Sequence, residues 1–475
     1  MSSSASSAGK MGTPQITFFC ICAVIVLGTL TASASLGPSG LTLWAIAIVL
    51  FVIPNMMIIS ELGTTYPAEG GIYDWIRRAF GRRMSTRAIY LYWVSNGIWM
   101  AANFILLTGL IADTFWPGMP LWFQLPLVIA LIWLTVAIIN RQVEIGIGVT
   151  VTGALFKIII IGTAGIGGMV YAFHHGVATP FTVESLIPSS SASGIGFFSA
   201  IIYNITGFEL VACMGSVLKN PARTMPRAIL YSSLAVVGLY IFGSLGIMMA
   251  LPLDHINLVS GITDAIRPLF GNDSPVVMII TVLFMLCIVG DQVTWSMAPS
   301  RAAAEAAREG CLPAVVGKWH PKNNTPCGAS TTLGWIGTAV SILYTCFAAG
   351  NNADAFWSAF SFSSTCIISS YLLFYPAFIK LRLSDPDTAR PYRMPGGAVT
   401  AWGSTLLCVA FIAIAIVLFV FPDILSGSVN WSHSGPIVIG MALILTVGEV
   451  IIRRSEKRHD QQLTVSLSPA KEASS

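Results

Sequence analysis

Apolar stretches of about 20 residues, the length that a helix needs to cross the hydrocarbon core of a bilayer, recur along almost the whole chain. Short polar segments separate them. The pattern predicts about twelve membrane-spanning helices, at 16–36, 41–62, 87–111, 121–139, 146–172, 195–217, 227–251, 276–298, 329–348, 355–381, 400–421 and 435–452. The predicted fold class is therefore an all-α integral membrane protein.

Two of these stretches are interrupted by small and polar residues. In the first, "VLGTLTASASLGPSG" (26–40) stands where Leu, Ile and Val are expected, and in the sixth Asn204, Gly207 and Glu209 break the apolar run. The interruptions are about five predicted helices apart, so one falls in each of two five-helix units. Paired breaks of this kind indicate the central site of a transporter built from inverted repeats. Small residues that only allow close helix packing are the alternative.

An unwound segment inside a membrane exposes peptide groups, and where it lines a cavity these groups can bind a solute. The N-terminal end of a half-helix offers N–H groups and partial positive charge to a carboxylate. The C-terminal end of the other half-helix offers carbonyl oxygens to an ammonium. A small zwitterion or amine fits such a site, and we expect residues 29–35 and 204–209 to be unwound.

Composition and charge agree with a protein embedded in lipid. Of its 475 residues, 55% are hydrophobic and 10% are charged, whereas ordinary domains carry about 25% charged residues. Alternating loops put nearly all Lys and Arg outside the spans on the side of the N terminus, and only Arg267 on the other side. Because cytoplasmic loops carry the positive excess, the sequence predicts a multi-pass protein of the plasma (inner) membrane with both termini cytoplasmic.

The polar ends, residues 1–12 and 456–475, are predicted to be disordered cytoplasmic tails. Residues 13–455 between them are predicted to form one transporter domain: helices 1–5 in a first repeat (13–172), helices 6–10 in a second (195–383), and helices 11 and 12 in 397–455.

No cleavable signal peptide is recognisable. The nine cysteines lack the spacing of a metal site or disulfide framework. No phosphate loop or catalytic set is recognisable, and the sequence predicts no enzyme activity, cofactor, metal, nucleotide or nucleic-acid partner.

Ionisable residues inside predicted spans are further candidates. Lys157 in the fifth span has apolar neighbours on both sides, where a charge is costly and usually marks function or a buried partner; snorkelling to the cytoplasmic interface is the alternative. In the eighth span Asp291 shares a helical face with Trp295, and it is either functional or a structural partner. Asn96 belongs to a polar and aromatic stripe on the third span that either faces a cavity or forms an interhelical seam.

Several motifs, in order along the chain, resemble the amino acid–polyamine–organocation superfamily of secondary transporters. "SELGTTYPAEGGIYDWIRRAFG" resembles the end of its second helix, "TGFELVA…KNPARTMPRAI" its sixth helix, "SRAAAEAAREGCLPAVVGKWHPKNNTP" the end of its eighth, and "RPYRMPGG" the approach to its eleventh. The resemblance covers nearly the whole chain. It implies a LeuT-like fold with two inverted five-helix repeats, broken helices 1 and 6 and two further helices, and alternating access around a mid-membrane site.

The resemblance also implies substrate-binding residues. The segment 31–34 (Thr31, Ala32, Ser33 and Ala34) falls on the unwound part of helix 1, where Gly-Ser-Gly is common in the family, so that alanines replace glycines here. Tyr203 takes the position of an aromatic lid over the substrate. Gly207 and Phe208 form the second break, and Trp295 takes the position of an aromatic residue that packs against substrate.

Two charged positions have implied roles in coupling or gating. Glu209 matches a frequent gating or proton-sensing acid, and Lys157 matches a lysine whose ammonium, in sodium-independent relatives, lies where other members of the fold bind sodium. The resemblance therefore implies sodium-independent transport of an amino acid or related amine, as a proton symporter or an exchanger, with protons or a counter-substrate as the coupling partner. A polyamine or other small organic-cation permease is the alternative, and a channel, a membrane enzyme or a transport-dead receptor is less favoured.

Overall fold

The computed structural model describes residues 12–67, 71–141, 147–189, 195–211, 220–272, 274–347 and 351–472, and the regular secondary structure in these ranges is helical. The helices are α1 (Thr13–Val24), α2 (Gly28–Ala34), α3 (Ser39–Ala47), α4 (Ile53–Thr65), α5 (Ile72–Phe80), α6 (Arg82–Thr114), α7 (Leu121–Arg141), α8 (Ile147–His175), α9 (Phe198–Tyr203), α10 (Pro221–Ala250), α11 (Gly261–Phe270), α12 (Pro275–Arg308), α13 (Cys327–Phe347), α14 (Asn352–Ser384), α15 (Gly397–Val420) and α16 (Trp431–Glu472). A π-helical turn, Ile48–Val52, joins α3 to α4. The predicted all-α class is confirmed.

Within the described ranges, nine helices are long and apolar enough to cross a membrane. The pair α1 and α2 is long and apolar enough only when taken together, and it is bent by 74° at the break between the two helices. The shorter apolar segment Ile195–Val211 contains the second break. The chain is therefore a multi-pass membrane protein.

The long helix α6 lies at the centre of the bundle. Of the 18 consecutive residues that make up its most apolar stretch, 94% are buried inside the protein, whereas 17% of the most apolar stretch of α16 is buried. Around this centre, glycines allow helices to approach closely: a methyl group added to Gly168 of α8 would lie 1.9 Å from the carbonyl oxygen of Gly246 of α10. Small residues at helix contacts are typical of packing in membranes, where lipid tails are as apolar as Leu.

The C-terminal helix extends further than the sequence predicts. α16 continues to Glu472, through the segment from residue 456 onward that was expected to be a disordered tail. Two features favour the extension: no Gly or Pro interrupts the chain between Gly448 and Pro469, and Glu456 forms an ion pair with Arg83 of α6 at 3.5 Å. Of the predicted N-terminal tail, 1–11 lie outside the described residues.

Candidate functional site

The first transmembrane helix breaks earlier than the sequence predicts. α1 ends at Val24 and α2 begins at Gly28, so residues 25–27 separate the two helices. Residues 29–34 are helical and buried, and the prediction that residues 29–35 are unwound is wrong. α2 packs closely against its neighbours at its first residue, because a methyl group on Gly28 would lie 2.7 Å from the side chain of Leu106.

The two hydroxyl groups of segment 31–34 contact neighbouring parts of the protein. Thr31 Oγ1 donates a hydrogen bond to the carbonyl oxygen of Leu258, in the segment that leads into α11, at 2.9 Å. Ser33 Oγ accepts a hydrogen bond from Trp44 Nε1 of α3 at 2.9 Å. In this conformation these side chains therefore hold α2 against its neighbours, and their role in substrate binding stays a prediction.

The carbonyl oxygens at the end of α1 are met by donors from other helices. Lys157 Nζ of α8 donates to the carbonyl oxygens of both Cys22 and Ile25. Trp295 Nε1 of α12 donates to the carbonyl oxygen of Ala23 at 2.7 Å. Since peptide groups at a helix end inside a membrane need partners, these side chains stabilise the break at its observed position.

Lys157 forms a buried ion pair with Asp291. The two side chains are 2.8 Å apart, with Lys157 fully buried and the Asp291 side chain 13% exposed. The ammonium points into the protein, toward α1 and α12, and the snorkelling alternative is wrong. Asp291 and Trp295 share the face of α12 that meets the end of α1, as the spacing of four residues predicts. The sequence identified both charged residues but did not predict that they pair.

A polar cluster connects the first break to the second. Thr29 Oγ1 of α2 donates to Asn204 Oδ1, just after α9, at 2.7 Å, and it lies 3.1 Å from Tyr240 Oη of α10. Tyr240 Oη also accepts a hydrogen bond from the N–H of Val26 at 2.9 Å. Thr29 lies within the stretch 29–35 that the sequence assigned to the first break. Sequence reasoning missed Tyr240 as a member of this centre, because a single hydroxyl group in an apolar span is compatible with ordinary helix packing.

The second break lies where the sequence predicts it. α9 ends at Tyr203, the chain turns through 204–207, and a short 3-10 segment follows at 208–211, with Phe208 buried. Gly207 has φ +103°, a conformation that favours glycine. Its N–H donates to Glu209 Oε2 at 3.0 Å, and Glu209 Oε1 accepts a hydrogen bond from Tyr371 Oη at 2.5 Å.

Two further residues hold this segment from the side of α4 and α14. Asn55 Nδ2 of α4 donates to the carbonyl oxygen of Ile205 at 3.4 Å. Tyr375 Oη of α14 donates to Asn55 Oδ1 at 3.1 Å. Tyr371 and Tyr375 are one helical turn apart and therefore share a face of α14. That spacing can be recognised in the sequence, but neither tyrosine was predicted to belong to the site.

Trp295 touches both breaks. Besides its hydrogen bond to the end of α1, its ring lies beside the second break: a methyl group on Gly207 would be 3.3 Å from Trp295 Cη2 and 3.4 Å from Val24 Cγ2. The residue named from the sequence as a substrate-packing aromatic therefore lies where the two breaks meet.

A buried aromatic cluster covers one end of this centre. The ring centroid of Tyr203 lies 5.1 Å from that of Phe360 and 6.5 Å from that of Trp99. Trp357 and Phe419 pack on Phe360, with centroids 5.4 and 5.6 Å away. These rings come from four helices, with Trp99 on α6, Tyr203 at the end of α9, Trp357 and Phe360 in the early part of α14 and Phe419 at the end of α15.

Asn96 belongs to an interhelical seam. The side-chain Nδ2 of Asn96 donates to the carbonyl oxygen of Tyr92 within α6 at 2.8 Å. The backbone carbonyl oxygen of Asn96 accepts from Gln292 Nε2 of α12 at 3.5 Å. Asn103 Nδ2 donates to Gln292 Oε1 at 2.9 Å. Of the two interpretations left open for this stripe, the structure supports the seam. Gln292 was missed, although a polar residue next to Asp291 inside a span is a usable signal.

The fold and the site define a class: a helical multi-pass membrane protein with two discontinuous segments around a buried, charged centre, as in many secondary transporters. The family model described as amino acid permease matches residues 11–445. The chain belongs to this family, and the resemblance to amino acid–polyamine–organocation transporters is confirmed.

Three relatives illustrate the family. The chain is 32% identical over 435 residues to a probable agmatine/putrescine antiporter of Lactococcus lactis, a match that covers 91% of this chain and 92% of the relative. It is 24% identical over 422 residues to a glutamate/gamma-aminobutyrate antiporter of the same species, covering 84% and 80%. It is also 24% identical over 407 residues to the polyamine transporter RMV1 of Arabidopsis thaliana, covering 82% and 75%.

Proposed function

We propose that the protein is a sodium-independent secondary transporter that exchanges an amino acid or a related amine across the plasma membrane by alternating access. Membership of the amino acid permease family supports this class of substrate. Two of the three relatives are named as antiporters, which favours exchange over proton symport. The alternative substrate is a polyamine or other small organic cation, as the name of the plant relative suggests.

The observation that carries the proposal is the buried ammonium of Lys157. It contacts two carbonyl oxygens of α1 and the carboxylate of Asp291. Carbonyl oxygens at the end of a broken helix are the groups with which transporters of this architecture coordinate a sodium ion or a proton. Because the ammonium of Lys157 already binds these carbonyl oxygens, no dissolved cation is needed to hold α1 against α8 and α12.

The proposed substrate site lies between the two breaks. Its walls would be Tyr203, Gly207, Phe208 and Trp295, with the aromatic rings packing against the aliphatic part of the substrate. Glu209 is the proposed proton-handling group, since its carboxylate is hydrogen-bonded to Gly207 N–H and a change of its charge would act directly on the second break. Residues 31–34 remain candidate contacts through their position on α2.

The proposed architecture is that of about twelve spans in two inverted repeats of five, plus two further helices. Breaks in helices 1 and 6 support it, because they occupy corresponding positions in the segments 13–172 and 195–383. Both termini are proposed to be cytoplasmic, on the strength of the positive charge of the loops on that side.

Counterflow in proteoliposomes tests the function. Vesicles are loaded with one member of a panel of amino acids and their decarboxylated amines, and uptake of a labelled member is followed with and without sodium and with and without a pH gradient. We expect at least one internal solute to accelerate uptake, and replacement of sodium by potassium to leave the rate unchanged. A steady conductance without solute exchange would support a channel, and a strict sodium requirement would contradict the proposed role of Lys157.

A further inference from the structure

An apolar groove opens on the membrane-facing side of the bundle next to α9. Its volume is about 450 Å³, and the surface that lines it is apolar. Leu43 of α3, Phe198 of α9 and Val417 of α15 line it, together with Ile424 and Leu425 of the connection that follows α15. The groove is distinct from the polar centre described above.

The groove has a buried floor and an exposed rim. Leu43 and Leu418 at the floor are 7% and 3% exposed, whereas Val417 and Leu425 at the rim are 44% and 48% exposed. The rim continues into exposed apolar side chains of α3 and α15, such as Ile46. The groove is therefore continuous with the surface that the protein presents to lipid.

The ends of the helices show at which level of the bundle the groove lies. α9 begins at Phe198, α15 ends at Val420, and Ile424 follows in the connection to α16. The end of α15 also carries Phe419, a member of the aromatic cluster around Phe360. In the topology proposed above this end faces away from the cytoplasm.

We propose that this groove is a binding site for one acyl chain of a phospholipid from the outer leaflet. Continuity with the lipid-facing surface identifies the occupant, and the apolar lining excludes a polar headgroup from the groove itself. Lipid tails are as apolar as the side chains that they contact, so the binding free energy comes from close packing and not from removal of water. A concave site gives a chain more such contacts than the convex surface of a helix does.

Such a chain would also affect the proposed transport cycle, and this part of the inference rests on the proposed function. The groove lies behind α9, the half-helix that ends in Tyr203. Trp44, which follows Leu43 in the chain, donates to Ser33 of α2, so α3 connects the wall of the groove to the other half-helix. A bound acyl chain would therefore brace α9 directly, and α2 through α3, in the conformation seen here, in which the aromatic cluster is closed.

Photo-crosslinking in the full-length protein tests the site. A benzophenone amino acid replaces Ile424 beside the groove, and in a second preparation Ile439, which is exposed on α16 outside the groove. Both proteins are reconstituted in vesicles of phosphatidylethanolamine and phosphatidylglycerol, irradiated, and analysed by mass spectrometry. We expect an adduct of one phospholipid at position 424. In the presence of Ala413→Trp, which fills the groove, we expect that adduct to be lost while the adduct at position 439 is unchanged.

Equal adducts at both positions that Ala413→Trp leaves unchanged would overturn the proposal, because they would reflect the general lipid annulus. Loss of both adducts would also contradict it in a protein that elutes as a monodisperse species. If Ala413→Trp does not fold, Val417→Trp blocks the same groove about one turn further along α15. The adduct is independent of transport: a protein that fails the counterflow test can still bind the chain.

Discussion

At the two helix breaks, charged side chains of opposite sign contact peptide groups of opposite kind. At the first break the exposed groups are carbonyl oxygens at the end of α1, and the ammonium of Lys157 and the indole N–H of Trp295 donate to them. At the second break the N–H of Gly207 is exposed, and the carboxylate of Glu209 accepts from it. Each break therefore contains a charged side chain complementary to its own helix end.

This difference shows what decides where a membrane helix breaks. The residues between α1 and α2 are the apolar Ile25, Val26 and Leu27, and the break depends on partners from α8, α10 and α12. The second break depends on a residue within it, because Gly207 adopts a positive φ that favours glycine. Both breaks have partners from distant parts of the chain, but only the second contains a glycine of its own that the backbone conformation favours.

Removing the cation of the first break is expected to have the largest effect. Lys157→Ala leaves the carboxylate of Asp291 and two carbonyl oxygens buried without their donor, and breaking a buried ion pair costs about 3–5 kcal/mol. If this cost falls on the active conformation, counterflow drops by about a hundredfold or more. The measurement is the initial counterflow rate per amount of protein that elutes as a monodisperse species.

The double variant Lys157→Met, Asp291→Asn is the control for this effect, since it removes both charges and keeps similar side-chain volumes. We expect it to recover stability relative to Lys157→Ala, because no buried charge is left alone. If Lys157→Ala retains full activity with the same dependence on cations, the coupling role of Lys157 is wrong.

At the second break the expected effect is smaller and concerns the backbone. Gly207→Ala adds a methyl group at φ +103°, with neighbours at 3.3 and 3.4 Å, and strain of this kind costs about 1–3 kcal/mol. Gly238→Ala is the matched control, because a methyl group there meets no atom within 4 Å and the residue lies inside α10. We expect a lower melting temperature for the first variant and an equal or higher one for the second. Equal melting temperatures would show that the second break does not depend on its glycine.

The contrast also explains how much of the site could be predicted from the sequence. The all-α class follows from hydrophobic stretches, and the second break was found because Gly207 and Glu209 are unusual inside a span. The first break was assigned to residues 29–35, of which 29–34 are helical and buried in the structure. Its true position has no local signal, since the donors that stabilise it, Lys157 and Trp295, are more than a hundred residues away in the chain. For the same reason the pairing of Lys157 with Asp291 was not predicted.

Trp295→Phe separates the two contacts that one side chain makes with the two breaks. Phenylalanine keeps an aromatic ring beside Gly207 but loses the N–H that donates to the carbonyl oxygen of Ala23. A net loss of about 0.5–1.5 kcal/mol is expected for one hydrogen bond, which corresponds to a reduction of counterflow by at most about tenfold. Trp335→Phe, at a tryptophan exposed on α13, is the control and should leave the rate unchanged. An unaltered rate in Trp295→Phe would mean that the other donors suffice to hold the first break.

Of these substitutions, Glu209→Gln is expected to have the smallest effect on the counterflow rate measured at one pH. Glutamine keeps a carbonyl oxygen that can accept a hydrogen bond from Tyr371 or from the N–H of Gly207. What it removes is the ability to exchange a proton at the second break. We therefore expect the pH profile of counterflow to flatten between about pH 5 and pH 8, while Glu449→Gln, at a carboxylate paired with Arg87 on the proposed cytoplasmic side, preserves the profile of the parent. If Glu209→Gln and the parent give the same pH profile, Glu209 acts only as a hydrogen-bond acceptor and exchanges no proton during transport. The side chains of Lys157 and Glu209 would then both serve to hold their breaks, and the two breaks would differ only in the sign of the charge.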